Sequence, residues 1–316
     1  MKLRIISLIA SLAILFLLIY FSNASEIVSI LSKANFVYVF LGIAISFLLM
    51  GLRTFRWKVL LKRLDINMSL KSLFPVFMSS LFISNITPAK SGDPVRSYFL
   101  KKKTGITFSK TIPSVVIERM LDVIVLIVMS VIGLAFVPLG WEMRGILGIV
   151  VFFYVVLIAA LIWFGSKKER VNRFFKLIQK FFGWLPKIKN LGRKTEDMAL
   201  DFKKSFVKYK DLGDISLNII MSMIVWVVEG VIVYIAFLSI GVPVDMLLCI
   251  FIMAVSVLVG VASSLPGGLG SSEVVMVLLF TSVLSLNFSI ATGGVLLARL
   301  LSYWLTLIVG AFSFKI

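Results

Sequence analysis

The chain contains no histidine and a single cysteine among its 316 residues. Without histidine there is no side chain that ordinarily titrates near neutral pH, no Ser-His or Cys-His nucleophile pair, and no imidazole metal ligand. The lone Cys249 excludes an intrachain disulfide, and its setting in LLCIFIMAV reads as a small buried hydrophobe. Charge is also scarce: 15% of residues are Asp, Glu, Lys or Arg, against about 25% in a soluble domain. No G-x-x-x-x-G-K-[ST] occurs, so nucleotide-driven work within the chain has no support, and no motif asks for a cofactor or a metal.

What remains is apolar. Hydrophobic residues make up 60% of the chain and mean hydropathy is +1.06. One globule cannot hide that much apolar surface, whereas a bilayer tolerates it. The expectation is an all-α, polytopic transmembrane helical bundle of about 6–8 spans, including one or two broken or re-entrant segments, forming a single domain over residues 1–316. Apolar runs lie at 5–21, 36–52, 112–137, 145–164, 215–240, 246–265, 272–286 and 288–313. The first resembles a signal peptide but is longer than a usual signal core, and further spans follow, so it is expected to stay as a helix.

The net charge of +18 would suggest nucleic acid in a soluble protein. Here the basic residues sit between apolar runs and read as topology determinants and contacts to anionic lipid. Segment 53–110 carries 12 Lys/Arg against Asp65 and Asp93, and 166–214 carries 14 against six acids. Loops 22–35, 138–144 and 241–245 together hold only Lys33 and Arg144 against three acids. The positive-inside rule therefore predicts a cell-membrane protein with both termini and both basic segments in the cytoplasm.

A full crossing by 72–87 would strand Lys101, Lys102 and Lys103 outside, so this piece is expected to enter and return, with Pro75 and Pro88 in a broken element. For 246–286, two crossings and one re-entrant pair satisfy the same parity. In the 166–214 loop, Phe174, Leu177, Ile178, Phe181, Phe182 and Leu185 recur at helical spacing with Arg170, Arg173, Lys176 and Lys180 off that face. Met198, Phe202, Phe206 and Tyr209 suggest a second such helix. The pattern fits either an interfacial amphipathic helix or packing against the protein's own spans.

Two interrupted segments carry the candidate chemistry, SNITPAKSGDPVRSY at 84–98 and SSLPGGLGSSEVV at 263–275. Each has Pro followed four residues later by Gly (Pro88/Gly92, Pro266/Gly270) and then an acid, Asp93 or Glu273. Paired interruptions in two halves of a membrane chain point to a transport site. A helix starting inside the membrane offers unpaired N–H groups and a positive dipole end to an anion such as phosphate. Asp93 with Pro94, and Ser271 or Ser272, suit the helix starts; Lys90 and Arg96 would add charge. The bland alternative is that Pro and Gly merely kink helices. Within the spans lie Glu118, Arg119 and Asp122 in VVIERMLDVIVL, Glu229 in IVWVVEGVIVYI, Glu273, and Arg299 in LLARLLSYW. Four acids against two arginines leave an expected excess of buried acid, with Glu118 and Asp122 on one face and at least one of them protonated.

The order SNxxPxKxGD, a basic stretch, ERxxD and a late LPGGLGxxE resembles the flippase-like membrane family typified by the membrane half of lysylphosphatidylglycerol synthase, the multiple peptide resistance factor. That resemblance spans nearly the whole chain and implies a flippase-type fold. It points to Asn85, Pro88, Lys90, Gly92, Asp93, Arg96, Glu118, Arg119, Asp122, the Pro266, Gly267, Gly268, Gly270 loop and Glu273. Such synthases carry a soluble aminoacyltransferase domain after the membrane region; this sequence stops at Ile316, so the resemblance implies the membrane part alone, and synthase chemistry and a lysyl-phosphatidylglycerol cargo are not expected from it.

The reading that results is a flippase-type transporter of an anionic, glycosylated or polyprenyl-phosphate-linked lipid, with substrate-binding residues drawn from those above together with Glu229 and Arg299, and no catalytic residue. Two alternatives stand beside it: a lipid-modifying enzyme that uses Glu118, Asp122 or Asp93, and a non-catalytic membrane partner of a cytoplasmic synthase or glycosyltransferase docked on 166–214. Reporter fusions should read outside at residues 30, 140 and 243 and inside at 60, 105 and 190. An outside signal at 105 would mean that 72–89 crosses fully and does not re-enter.

Overall fold

The computed structural model describes residues 2–137, 139–165, 195–209 and 212–314. The described residues are almost wholly helical, with no strand among them. The protein is membrane-embedded: α3 (Phe36–Lys62), α9 (Ile215–Ser239 of a helix that starts at Leu212) and α12 (Phe288–Phe312) are each long and apolar enough to cross. The helices α1 (Lys2–Phe21) and α2 (Ala24–Ser32) qualify together but are bent by 82° at their junction. By length, α6 (Phe108–Phe136) and α7 (Trp141–Gly165) can join them, since 29 and 25 residues extend about 40 Å.

The remaining helices are short. α4 (Leu70–Asn85, 16 residues) and α5 (Val95–Thr104, 10 residues) extend about 24 and 15 Å, less than the roughly 30 Å hydrocarbon core. They form a hairpin: Lys103 Nζ, near the end of α5, donates to the Ser72 carbonyl at the start of α4 at 3.1 Å. The chain thus returns to the level at which it entered. Pro75 lies within α4 and does not break it; the interruption falls between Asn85 and Val95. α10 (Met246–Ala262, 17 residues) and α11 (Ser271–Leu284, 14 residues) fall similarly short at about 26 and 21 Å, and they pack against each other. Of the two arrangements that loop charge allowed, this favours the re-entrant pair over two crossings.

The chain therefore runs twice through one order of elements: long helix, short helix, loop, short helix, long helix. The first run is α3-α4-α5-α6 and the second α9-α10-α11-α12. Their packing interlocks, with α3 on α9, α6 on α10, and the end of α12 on α4. The two hairpin tips meet, Pro88 pairing antiparallel with Pro266 in an isolated β-bridge.

α3 runs ten residues past the apolar stretch that ended at 52. Its buried positions Leu49, Met50, Arg56, Trp57, Leu60 and Leu61 keep a helical period, so Arg53 and Arg56 belong to a span and not to a loop. α8 (Thr195–Val207) packs on α6: Phe202 is buried with Ile112 and Val115, and Phe206 lies against them. Tyr209 donates to the Leu60 carbonyl at 2.7 Å. For this second amphipathic helix, packing against the protein's own spans is the arrangement found. At its end, Lys208 pairs with exposed Asp65 and holds that carboxyl below its ordinary pKa. The expected amphipathic helix over 174–185 lies outside the described residues.

Candidate functional site

The two hairpin tips use different means to turn. In the second loop Gly267, Gly268 and Gly270 have φ of 60°, 69° and 84°, a region that costs glycine nothing. Gly267 also sits so close to Tyr303 Oη and the Asn85 carbonyl that a Cβ would fall 2.5 and 2.7 Å from them. In the first loop the left-handed positions are Ala89 and Lys90, at φ 51° and 53°, where a side chain is strained. Gly92 is needed for closeness, since a Cβ there would lie 2.9 Å from the Ile83 carbonyl.

The starts of α5 and α11 depart from expectation. Pro94 is the N-cap of α5, and the N–H groups of Val95, Arg96 and Ser97 donate back to the carbonyls of Gly92, Asp93 and Pro94. The helix start therefore offers an anion little that is unpaired, and Asp93 spends its carboxylate on Arg119 at 2.9 Å, close in distance though outside good hydrogen-bond geometry. In α11 the cap is Gly270, not Ser271 or Ser272. Glu273 reaches back to accept from the Gly270 N–H at 2.7 Å while also accepting from Arg299 Nε. In both halves the arginine follows its acid by 26 residues. A π-helical turn at Leu300–Trp304 follows Arg299, whose guanidinium stacks 4.4 Å over Tyr303, and Tyr303 Oη donates to the Asn85 carbonyl at 3.1 Å.

A buried ionic cluster ties the first half together. Arg56 is 2% exposed and donates to Asp122, to Glu118 at 2.9 Å and to Ser222 Oγ at 2.8 Å. Glu118 also accepts from Arg96 Nη1 at 2.7 Å, Asp122 accepts from Trp226 Nε1 at 3.0 Å, and Arg119 lies 3.3 Å from Asp122 as an i,i+3 ion pair. Arg53 pairs with Glu229 between α3 and α9. Glu118 and Asp122 do share a face, as their spacing predicts, but Arg56 lies between them. Mutual repulsion is replaced by two ion pairs, and the expected protonated member has no need to exist. The expected excess of acid is also reversed. Arg53, Arg56, Arg96, Arg119 and Arg299 match Asp93, Glu118, Asp122, Glu229 and Glu273, and Lys90 is left over without an ion pair or hydrogen bond among the described residues.

Two small cavities adjoin these groups. The larger, about 60 Å³, is lined by residues of both tips and by α12, including Gly267, Gly268, Ser272, Arg299 and Tyr303. The second, about 40 Å³, is lined by Arg56, Asp93, Glu118, Arg119 and Asp122. Arg53, Asn85, Lys90 and Trp226 line both. Arg96 lines neither. It is 1% exposed behind Glu118, its Nε and Nη2 lack acceptors, and the rings of Trp57 and Phe77 stand 5.3 and 5.4 Å away. Arg53, which the apolar run ending at 52 left in a loop, lines both cavities in its stead. The signal that could have found Arg53 and Arg56 was the helical period continuing to Leu64.

Paired broken hairpins around a buried ionic centre define a polytopic helical membrane protein with a candidate site where the hairpin tips meet. The comparison with known proteins agrees: the family described as the transmembrane region of lysylphosphatidylglycerol synthase matches residues 4–310, and the chain belongs to that family. A UPF0104 membrane protein of Methanothermobacter thermautotrophicus is 26% identical over 94% of this chain and 89% of its own length. Another, from Methanocaldococcus jannaschii, is 28% identical over 98% and 93%.

Removing one partner of a fully buried ion pair leaves a stranded charge. Arg56→Met is expected to cost about 3–5 kcal/mol of stability. Arg53→Met should cost less, because its pair with Glu229 is 17% and 14% exposed. Thermal unfolding of the purified variants in detergent checks the order. Equal tolerance of both changes would mean that the Arg56 cluster does not hold α3 to α6.

Proposed function

We propose that the protein moves the polar headgroup of an anionic or glycosylated lipid from one leaflet to the other. The observation that carries this reading is the meeting of the two hairpin tips at Pro88 and Pro266, beside two polar cavities that share four lining residues. Loop charge places the first hairpin's entrance in the cytoplasm and the second's outside, which makes the two runs of helices inverted repeats about that contact. Rocking of one repeat against the other around a midplane site is the usual way such folds alternate access. At about 60 and 40 Å³ the cavities hold a handful of waters, so the structure is a closed arrangement that must open for a headgroup to pass.

Each of the five carboxylates at or beside these cavities is ion-paired with an arginine. None is left poised to take a proton from a substrate, which favours transport over carboxylate-based lipid modification. Docking of a cytoplasmic enzyme on 166–214 concerns residues that are mostly outside those described. In this reading the acid–arginine pairs Asp93–Arg119 and Glu273–Arg299 hold the second helix of each hairpin to a long span.

The test is protein-dependent transfer of a headgroup-labelled anionic lipid in reconstituted vesicles, followed by quenching from outside. Wild type should accelerate transfer, and Glu273→Gln, which keeps the shape of the cap but weakens the pair with Arg299, should slow it at least severalfold. Chemical turnover of the headgroup without transfer would instead establish the enzyme reading.

A further inference from the structure

The charge census around the two cavities is uneven by one. Five arginines and five carboxylates satisfy one another, and Lys90 remains, half-buried, lining both cavities and bonded to nothing among the described residues. An uncompensated cation within a membrane protein is costly and marks a place where a charge partner visits. The backbone agrees with a functional demand. Lys90 follows Ala89 in a left-handed conformation at φ 53°, where glycine would be free of strain and where the second loop does use glycines. A long charged side chain has been kept at a position whose backbone disfavours it.

Two further cations face the larger cavity with Lys90. Arg53 commits one Nη group to Glu229. Arg299 commits Nε to Glu273, and its Nη2 lies 3.5 Å from the Gly267 carbonyl. The hydroxyls on the same wall are already used as donors: Ser272 to the Ser256 carbonyl, Ser302 to that of Ala298, Thr306 to that of Ser302, and Tyr303 to that of Asn85. Donation to a guest therefore falls to the three cations and the Asn85 amide, and an oxyanion is the guest they suit.

We infer that Lys90, flanked by Arg53 and Arg299, binds one phosphodiester of a lipid headgroup. A phosphodiester bears a single negative charge and so brings the whole set to neutrality, and the cavity of about 60 Å³ has room for a small polar group. Because Lys90 lines both cavities, its flexible four-carbon stem can keep hold of the same phosphate as one cavity closes and the other opens. The inference deepens the translocase reading and rests on it for the lipid, though not for the anion.

Binding of the soluble diester glycerophosphoglycerol to the purified full-length protein in nanodiscs, with inorganic phosphate in parallel, tests the site. Lys90→Gly removes the charge and suits the left-handed backbone, so it should fold at least as well as wild type and weaken diester binding about tenfold or more. Glu229→Gln releases Arg53 and adds one net positive charge, so it should tighten binding severalfold. Unaltered affinity in Lys90→Gly, or no tightening in Glu229→Gln, overturns the site. Inorganic phosphate binding as tightly as the diester would make free phosphate the guest and overturn the lipid assignment. The same variants in the vesicle assay separate the two ideas. Lost diester binding with lipid transfer intact would sink Lys90 as the headgroup's ligand while leaving the translocase. Intact diester binding by a wild type that transfers no lipid would do the reverse.

Discussion

Everything in this protein depends on one constraint: the ends of four short helices, α4, α5, α10 and α11, meet within the helical bundle and must find partners there. Backbone groups left bare in hydrocarbon cost several kcal/mol each. The solution is to bring both interruptions to one place. Pro88 pairs with Pro266, Tyr303 covers the Asn85 carbonyl, and Glu273 takes the Gly270 N–H. Once two polar loops meet, a polar interior follows, because irregular backbone in a membrane survives only where protein or a lined cavity surrounds it.

That interior explains why so many ionised groups are tolerated. Glu118, Asp122, Arg56 and Arg96 are all nearly inaccessible, yet each has an oppositely charged neighbour. Such a network adds little stability compared with apolar packing; what it adds is geometry. Arg56 joins α3 to α6, Trp226 and Ser222 bring α9 to the same point, and Arg96 draws the start of α5 against Glu118. The charges fix where the spans stand relative to the hairpins. The two acid–arginine pairs with equal spacing then do the same job in each half, which is what a duplicated architecture would leave behind.

Much of this could be read from the sequence, for definite reasons. The apolar runs, the basic loops and the Pro–Gly interruptions are local features, and they identified a membrane bundle with two broken segments. The return of the first hairpin was legible because Lys101, Lys102 and Lys103 are too costly to place outside. What could not be read was pairing. A helix seen as a string of residues shows that Glu118 and Asp122 share a face, but not that an arginine from α3 sits between them. Arg53 and Arg56 were misplaced because hydropathy marks the end of an apolar run, whereas α3 continues on a helical period with two arginines facing inward. The role of helix-start N–H groups was misjudged for a similar reason: the chain before α5 turns tightly enough to satisfy them itself.

The central claim is that the two tips meet within the membrane and must move against each other for a headgroup to pass. The direct measurement places cysteines at Pro88 and Pro266 in a Cys249→Ala background and follows lipid transfer in vesicles under oxidation and after reduction. Residues opposed in an antiparallel pair stand about 4.5–5.5 Å apart between Cα atoms, within reach of a disulfide. The account predicts that the bond forms, that transfer stops while it is intact, and that reduction restores transfer. Two cysteines that each react with a thiol reagent but never join, or transfer that continues unchanged with the bond in place, would contradict it.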